Sequence, residues 1–587
     1  MKSFFKIFFA SFLALIVFSI ISFFVMLMMV GSLGKMSADK PVGKKAVLVL
    51  DLNRTYNERK FSDPLAELMG EKSSEALGLF DLLRIIEKAG KDSAVKGIYV
   101  KCEDNPNGFA TNEAIREALL QFRQNNKFVV AYGNYITQNA YIVASAADAV
   151  FCNPVGMVEW TGLSTTIPFF KTALDRLEIE PQIFYAGKFK SATEPLREYK
   201  MTEANKLQTK VWMDALYSRI LINTSATRNI DTATLRSLAD NGAVMDANEA
   251  FNHKLVDGLK YDDELQDYIR EKLDIDEKSN INFVSLSRYG RQVNYRNFGK
   301  SKDRIAVIYA QGEINNGKGD QGEIGGEAYL ELISKARKNK DIKAIVIRIN
   351  SGGGSSLASE IMWREVALAK KEKPVVVSFG DIAASGGYYM ACAADTIFTE
   401  AATITGSIGV FGIIPNFKGL LNNKLGVTFD GVKTGPFADM GNFTRPLTAA
   451  EAAMVQKSID NVYHQFLSRV AEGRKMSIEQ VDSLAQGRIW TGEAAVANGL
   501  ADRIGNLKEA IDCAARMAEL SDYTLREYPE TKDFFQQLMT SYKDQVKTKM
   551  LKEELGEAGY RLYRELNYLN QSLGTIQARI PFDLNVR

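Results

Sequence analysis

The chain repeats itself. Ile342-Lys343-Ala344-Ile345-Val346-Ile347 follows the pattern of Val95-Lys96-Gly97-Ile98-Tyr99-Val100, Phe379-Gly380-Asp381 that of Tyr132-Gly133-Asn134, and Tyr388–Asp395 that of Tyr141–Asp148, each 247 residues later. Pro415-Asn416-Phe417-Lys418 stands at the same shift from Pro168-Phe169-Phe170-Lys171. Further on, Leu500-Ala501-Asp502 meets Leu255-Val256-Asp257 at a shift of 245. A shift held over this much chain marks an internal duplication. Whatever fold one half adopts, the other must adopt as well.

Within a copy, strand-like runs alternate with helical patterns. Ala46–Leu50, Val95–Val100 and Phe128–Tyr132 read as strands, and Glu113–Gln124 and Ala140–Ala147 as helices. This alternation predicts an α/β class, and 587 residues exceed a single ordinary core. The expected organisation is an N-terminal membrane anchor over 1–35, α/β domains over 45–290 and 300–520, and a helical extension over 521–587. In that extension Leu555, Leu562, Leu566 and Leu569 keep helical spacing. The final Ile580-Pro581-Phe582-Asp583-Leu584 reads as an extended tail, free or docked on a neighbour or in a groove.

The copies differ at informative places. A buried-strand pattern, Val375-Val376-Val377, leads through Ala383-Ala384-Ser385-Gly386-Gly387 into an apolar helix. Ser385 thus sits at a helix start, where free N–H groups can receive negative charge. The same residues read equally as a tight turn. The first copy has Gln138-Asn139-Ala140 there, without a nucleophile, and its Glu103–Gly108 replaces the glycine turn Asn350–Ser355. Conversely, Lys190 of the first copy stands opposite Gly435 of the second. One copy keeps a serine and the other a lysine. A lysine serves as a base where burial lowers its pKa from about 10.4 towards neutrality. Lys190 also reads as a surface residue of a basic loop with Lys188, Arg197 and Lys200.

Composition narrows the chemistry. The only histidines are His253 and His464, in patterns typical of solvated positions, which argues against a histidine triad or a multi-histidine metal site. Cys102, Cys152, Cys392 and Cys513 have no metal-ligand spacing. A net charge of +2 gives no case for a nucleic-acid partner. From Ile7 to Val30 no residue is charged, a run long enough to span a bilayer. Lys2 and Lys6 precede it and Lys35 follows, so the positive-inside rule places the N-terminus in the cytoplasm and the bulk outside.

Taken together, Gly380-Asp381-x-Ala383-Ala384-Ser385-Gly386-Gly387-Tyr388, Thr405-Gly406-Ser407-Ile408-Gly409, Asn350-Ser351-x-Gly353-Gly354-Ser355 and Lys190-Ser191-Ala192-Thr193-Glu194-Pro195 resemble bacterial signal peptide peptidase A (protease IV), serine peptidase family S49, in its long double-domain form. The resemblance implies two tandem Clp/crotonase-like α/β domains and a membrane-anchored serine endopeptidase. Its substrates would be cleaved signal peptides and other hydrophobic peptides. It implies Ser385 as nucleophile, Lys190 as general base, Ser407 as the residue orienting the lysine, and the Gly354 and Gly386 N–H groups as the oxyanion hole. It implies no cofactor or metal, a homotetramer, and a single-pass protein of the bacterial inner membrane with its catalytic domains on the periplasmic side. Gly352 departs from the pattern, which has proline there. A crotonase-type acyl-CoA enzyme and a non-catalytic membrane scaffold are the other readings of the same fold.

Overall fold

A computed structural model describes residues 2–36, 41–59, 77–296, 299–320, 322–530 and 574–580, with isolated positions between 550 and 560. The expected helix over Asp533–Ser572 lies outside the described residues apart from those positions.

Two α/β units follow the N-terminal helix Lys2–Met36. In the first, β1 (Ala46–Asp51), β2 (Val95–Lys101), β3 (Phe128–Ile136) and β4 (Ala149–Val158) form the middle of a six-stranded sheet. Its edges are β6 (Gly258–Leu259) and β7 (Phe283–Ser285), and every pairing in it is parallel. Helices cover its faces, so its strands are apolar throughout rather than alternating. Ala46, Val47, Leu48 and Leu50 are all fully buried.

The second unit repeats this plan around β8 (Arg304–Gln311), β11 (Ile342–Ser351) and β13 (Val375–Ala384). The register Ile345↔Val375 and Ile345↔Ala306 aligns three fully buried residues at the middle of the sheet. β14 (Thr396–Thr399), β15 (Ile404–Gly406), β17 (Ile489–Thr491) and β18 (Arg503–Ile504) extend the sheet on one side.

A third sheet joins the halves. Here β5 (Glu180–Ala186) of the first half pairs antiparallel with β16 (Val410–Asn416) over seven residues, from Ala186↔Val410 to Glu180↔Asn416. The sheet continues through β20 (Gln577–Arg579), β12 (Gly353–Ser355), β9 (Ile314–Asn315) and β10 (Ile324–Gly325).

Strand pairing crosses the expected boundaries. The 45–290 unit is not self-contained, because β5 belongs to a sheet of the second half. The 300–520 unit extends further, since β19 (Thr524–Tyr528) pairs with β8 at the sheet edge. The 521–587 stretch is not simply helical, as it supplies both β19 and β20. A local pattern does not reveal that a short strand's partner lies hundreds of residues away.

Side chains lock the joint between the halves. Glu58 Oε2 accepts from Arg348 Nε at 2.8 Å, with 2% and 3% of the two side chains exposed. Arg348 also donates to Ser378 Oγ and to the Phe379 carbonyl. Asp381 accepts from both the N–H and the hydroxyl of Thr111. Burial pushes the nearby Glu400 carboxyl up to about 8, against the opposing pull of Arg348 at 3.6 Å.

The N-terminal helix has side chains described at Phe4 and over residues 6–22, where Phe8, Phe12, Leu13 and Phe18 are exposed. Among the described residues, no helix is long and apolar enough to cross a membrane.

Removing one partner of a buried ion pair strands the other charge, so Glu58→Ala should cost about 3–5 kcal/mol. Denaturant unfolding should show a lower midpoint in Glu58→Ala. An unchanged midpoint would mean that the halves do not depend on this pair.

Candidate active site

Strand β13 ends at Ala384 and the helix Gly386–Ala391 begins two residues later. Ser385 makes the turn between them at φ 55°, ψ −112°, a conformation unfavourable for a residue with a side chain. Neighbouring bonds hold it there. Its N–H donates to the Gly406 carbonyl at 2.8 Å, and its carbonyl accepts from Tyr389 N–H at 2.8 Å. Thr405 and Thr403 hydroxyls donate to the Ala383 and Gly380 carbonyls just upstream.

Lys190 arrives from the first half. It lies four residues beyond the end of β5, in a turn where its N–H donates to the Gly187 carbonyl. Phe189 N–H donates to the Gln486 carbonyl, which fixes this turn to the second unit. Gly487 lies against it at φ 76°, and a β-carbon there would come within 2.5 Å of Lys190 N. Gln208 Nε2 spans the Phe189 carbonyl and Ser191 Oγ from the long helix Glu203–Arg228.

The Lys190 side chain is buried, with 1% of the residue exposed, and Nζ lies 2.8 Å from Ser385 Oγ. The same nitrogen is 3.0 Å from the Ser407 carbonyl oxygen and 3.1 Å from Ser407 Oγ. All three partners are uncharged. Burial without a carboxylate holds the lysine well below its ordinary pKa, favouring the free amine. Ser407 itself sits at φ 49°, and its N–H donates to the Arg488 carbonyl. The local-sequence alternative, a surface lysine, describes Lys188 instead, which is exposed.

Gly386 is the first residue of its helix, so its N–H has no partner within that helix. Gly353 packs against it, and a β-carbon on Gly353 would come within 2.7 Å of Gly386 N. Gly354 follows in β12 at φ 155°. Gly352 lies just before, and its carbonyl accepts from Ile580 N–H at 3.0 Å. The five expected site residues, Ser385, Lys190, Ser407, Gly354 and Gly386, are thus all buried around the β13–helix turn.

The corresponding place in the first copy is filled by amides. Gln138 Oε1 accepts from Thr161 and Gly162 N–H groups, and Gln138 N–H donates to Glu159. Asn105, Asn107, Asn112 and Asn139 bond to one another beside it. His253 and His464 are both exposed, and the four cysteines are free and buried.

Sequence reasoning missed Gln208 and Gly487, which hold the Lys190 turn. Gly487 could be found by its position in Ala485-Gln486-Gly487-Arg488, a turn-like run before a strand. It also left the seat of β20 open.

A duplicated α/β scaffold carrying a buried serine against a buried lysine has the parts of a hydrolase. Comparison with known proteins makes this specific. Residues 121–276 and 367–521 match the profile of peptidase family S49. Protease 4 of Salmonella typhi is 33% identical over 560 residues, covering 91% of this chain and 88% of its own. Protease 4 of Haemophilus influenzae is 33% identical, covering 78% and 76%. The chloroplastic serine protease SPPA of Arabidopsis thaliana is 32% identical, covering 78% and 68%. The chain belongs to peptidase family S49, as a tandem pair of its domains. A ClpP1 mutant from Listeria monocytogenes overlaps 35% of this chain and 94% of its own at a TM-score of 0.24 and 16% identity, too slight a likeness to argue from.

Burying Lys190 as an amine requires releasing a proton that the unfolded chain holds up to pH about 10.4. Wild-type stability should therefore rise with pH from the lowered folded pKa to about 10.4, by about 1.4 kcal/mol per unit of depression. Lys190→Met should unfold at a higher temperature than wild type at pH 7, with the gap closing towards pH 10. Parallel pH curves for the two proteins would mean that Lys190 is buried with its charge.

Proposed function

We propose that the protein is a membrane-anchored serine endopeptidase working through a Ser385/Lys190 dyad. The observation that carries this reading is the 2.8 Å approach of Lys190 Nζ to Ser385 Oγ, in a setting that favours the amine. In this reading the amine takes the hydroxyl proton as Oγ attacks a peptide carbonyl. The ammonium then delivers that proton to the leaving amine, and an acyl-enzyme on Ser385 remains. Water, deprotonated by the same lysine, releases the acyl group. Ser407 orients the lysine through its hydroxyl and carbonyl. The N–H groups of Gly354 and Gly386 stabilise the oxyanion.

The substrates proposed are cleaved signal peptides and other hydrophobic peptides. One relative, in Enterococcus faecium, is named a putative signal peptide peptidase SppA, and is 38% identical over 201 residues, covering 34% of this chain and 58% of its own. The uncharged run from Ile7 to Val30 would anchor the enzyme beside apolar peptides left in a bilayer. We place the catalytic units on the outer side of the bacterial inner membrane, and a homotetramer is the proposed assembly.

Ser385→Ala should lower hydrolysis of a fluorogenic hydrophobic peptide by at least ~10³-fold while leaving the unfolding midpoint in place. Lys190→Arg should be equally inactive, since guanidinium stays charged at any usable pH. Ser407→Ala should lose about tenfold, the worth of one orienting hydrogen bond. Lys188→Ala should resemble wild type. The wild-type rate should rise with pH through the lowered lysine pKa. Activity surviving in Ser385→Ala, or lost in Lys188→Ala and kept in Lys190→Ala, would remove the dyad.

For topology, externally added protease should digest the catalytic units in spheroplasts, and carbonate washing should leave the intact chain with the membranes. Protection of the units until the cells are lysed would place them in the cytoplasm instead.

A further inference from the structure

The amine of Lys190 is held at Ser385 and Ser407, and the main chain that carries it is held by one amide. Gln208 lies in the second turn of the helix Glu203–Arg228 and is 5% exposed. Its Nε2 donates to the Phe189 carbonyl at 3.0 Å and to Ser191 Oγ at 3.1 Å, so it grips the residues on either side of Lys190. Its Oε1 accepts from the Ile489 N–H at 3.3 Å. A side-chain amide offers two N–H donors and a carbonyl oxygen, and here each kind is used. The Phe189 carbonyl needs a donor and the Ile489 N–H an acceptor, so the amide can face only one way.

The Ile489 bond ties the base to Ser407. Strand β17 is the edge of its sheet, and Ile489 stands opposite Gly406 of β15. The next residue, Ser407, donates its N–H to the Arg488 carbonyl. Bonded and non-bonded pairs alternate in an antiparallel ladder. The bond from 407 to 488 makes 406/489 a non-bonded pair, so the Ile489 N–H points out of the ladder, towards Gln208. One amide therefore joins both flanks of Lys190 to the strand pair that leads into Ser407, whose carbonyl oxygen and hydroxyl meet Nζ at 3.0 and 3.1 Å.

A buried network keeps the amide in place. Glu194, 2% exposed, accepts from Thr202 N–H at 3.1 Å, Thr202 Oγ1 at 2.6 Å and Asn205 Nδ2 at 2.9 Å. Thr202, Asn205 and Gln208 recur every three residues and so share one face at the helix start. The stretch from Phe189 to Glu194 is bound to that face at both ends.

The second copy supplies a comparison. Its helix Ala449–Arg474 has the same 26 residues, a threonine N-cap at Thr448 and a left-handed C-cap at Lys475, where its counterpart has Thr202 and Asn229. Matching the caps sets Asn205 on Glu451 and Gln208 on Met454. Glu451 accepts from Arg445, and Met454 is 48% exposed. The copy without the lysine is also the copy without the amide.

We propose that Gln208 is a positioning residue for the reaction at Ser385. Bonded to both flanks of Lys190 and to the Ile489 N–H, it fixes the approach of Nζ to Ser385 Oγ without touching the substrate. The inference rests on the dyad reading. A lysine side chain is flexible, so its amine is placed only as firmly as its main chain. A turn free to shift by about 1 Å would spoil the alignment of the reacting atoms. It would also let water reach an amine whose lowered pKa rests on burial.

The test is steady-state hydrolysis of a fluorogenic hydrophobic peptide by full-length protein. Competent sites are counted from the final extent of Ser385 labelling by a fluorophosphonate. Gln208→Met gives the first copy the residue of the second and keeps the side chain's length. It should lower kcat per labelled site about tenfold, with KM within about twofold of wild type. The acid limb of the pH profile should move up, because the lysine must lose its proton to act and a wetter lysine holds it to a higher pH. Gln208→Glu keeps an oxygen for the Ile489 N–H and brings a carboxylate beside the turn, so its limb should move up as well. Having the shape of the native residue, it carries the same comparison where Gln208→Met does not fold.

A wild-type kcat per labelled site in Gln208→Met, or a KM that rises while kcat holds, would overturn the inference. So would an acid limb at its wild-type pH in both variants. A loss of activity that only matches the loss of labelled sites would make Gln208 a folding residue and overturn it too. In each of these cases wild type still hydrolyses the peptide and the dyad reading stands. No hydrolysis and no labelling in wild type would remove that reading, and this inference with it.

Discussion

The ladder between β5 and β16 is the interaction on which the site depends. Seven residues of the first half add themselves to a strand of the second, and the chain leaving β5 reaches Lys190 within four residues. Without that pairing the amine and Ser385, 195 residues apart in sequence, would belong to different bodies. Backbone pairing is well suited to this task. A strand laddered along its whole length leaves little freedom to the turn that follows, so Nζ is placed by the β5–β16 ladder and by Gly487 as well as by its own side chain. The Glu58–Arg348 pair and the Asp381–Thr111 bonds then keep the two units from rotating and pulling the arm out of register.

The site stores unfavourable terms that the surrounding fold must offset. Ser385 has a positive φ, Ser407 another, and Lys190 is buried with no counter-ion. Residues in such conformations cost on the order of 1–3 kcal/mol each. Their cluster at one turn is what a folded scaffold rather than a local sequence can sustain. The turn at Ser385 leaves its hydroxyl 2.8 Å from the Lys190 nitrogen. Desolvation at Lys190 lowers its pKa and so favours the form that can receive a proton. Each term is a cost to folding and, in the proposed mechanism, a requirement of the reaction.

Much of this was legible in the sequence because duplication supplies its own comparison. Two copies at shifts of 247 and 245 mark the strands of both α/β units, and the places where the copies disagree single out Ser385 and Lys190, which the fold brings to 2.8 Å. Only local patterns were available for the rest, and these fall short in a consistent way. A seven-residue strand such as Glu180–Ala186 carries no trace of which edge it will join, so the exchange of β5 between halves was not foreseen. Neither was β19, whose Thr524-Leu525-Arg526-Glu527-Tyr528 has only two apolar residues in five and breaks the alternation of a strand at Arg526-Glu527. The tail was read as apolar and extended, but its seat on Gly353–Ser355 depends on a slot that exists only once β12 and β16 are in place.

The same comparison explains why two copies make one site. In a single unit, a serine turn and a lysine arm would have to come from neighbouring molecules or from one crowded chain. Once duplicated, each copy can lose what the other retains. The first copy fills its nucleophile position with Gln138 and a lattice of four asparagines, which satisfies every buried polar group that the turn exposes. That filling is a structural gain, because a vacant polar turn would be costly to bury. The second copy has Gly435 opposite Lys190 in an exposed loop. Each loss removes a strained or desolvated group from a place where no partner would use it. The remaining serine and lysine meet across the joint, and the arm that carries one to the other becomes the feature that neither copy could discard.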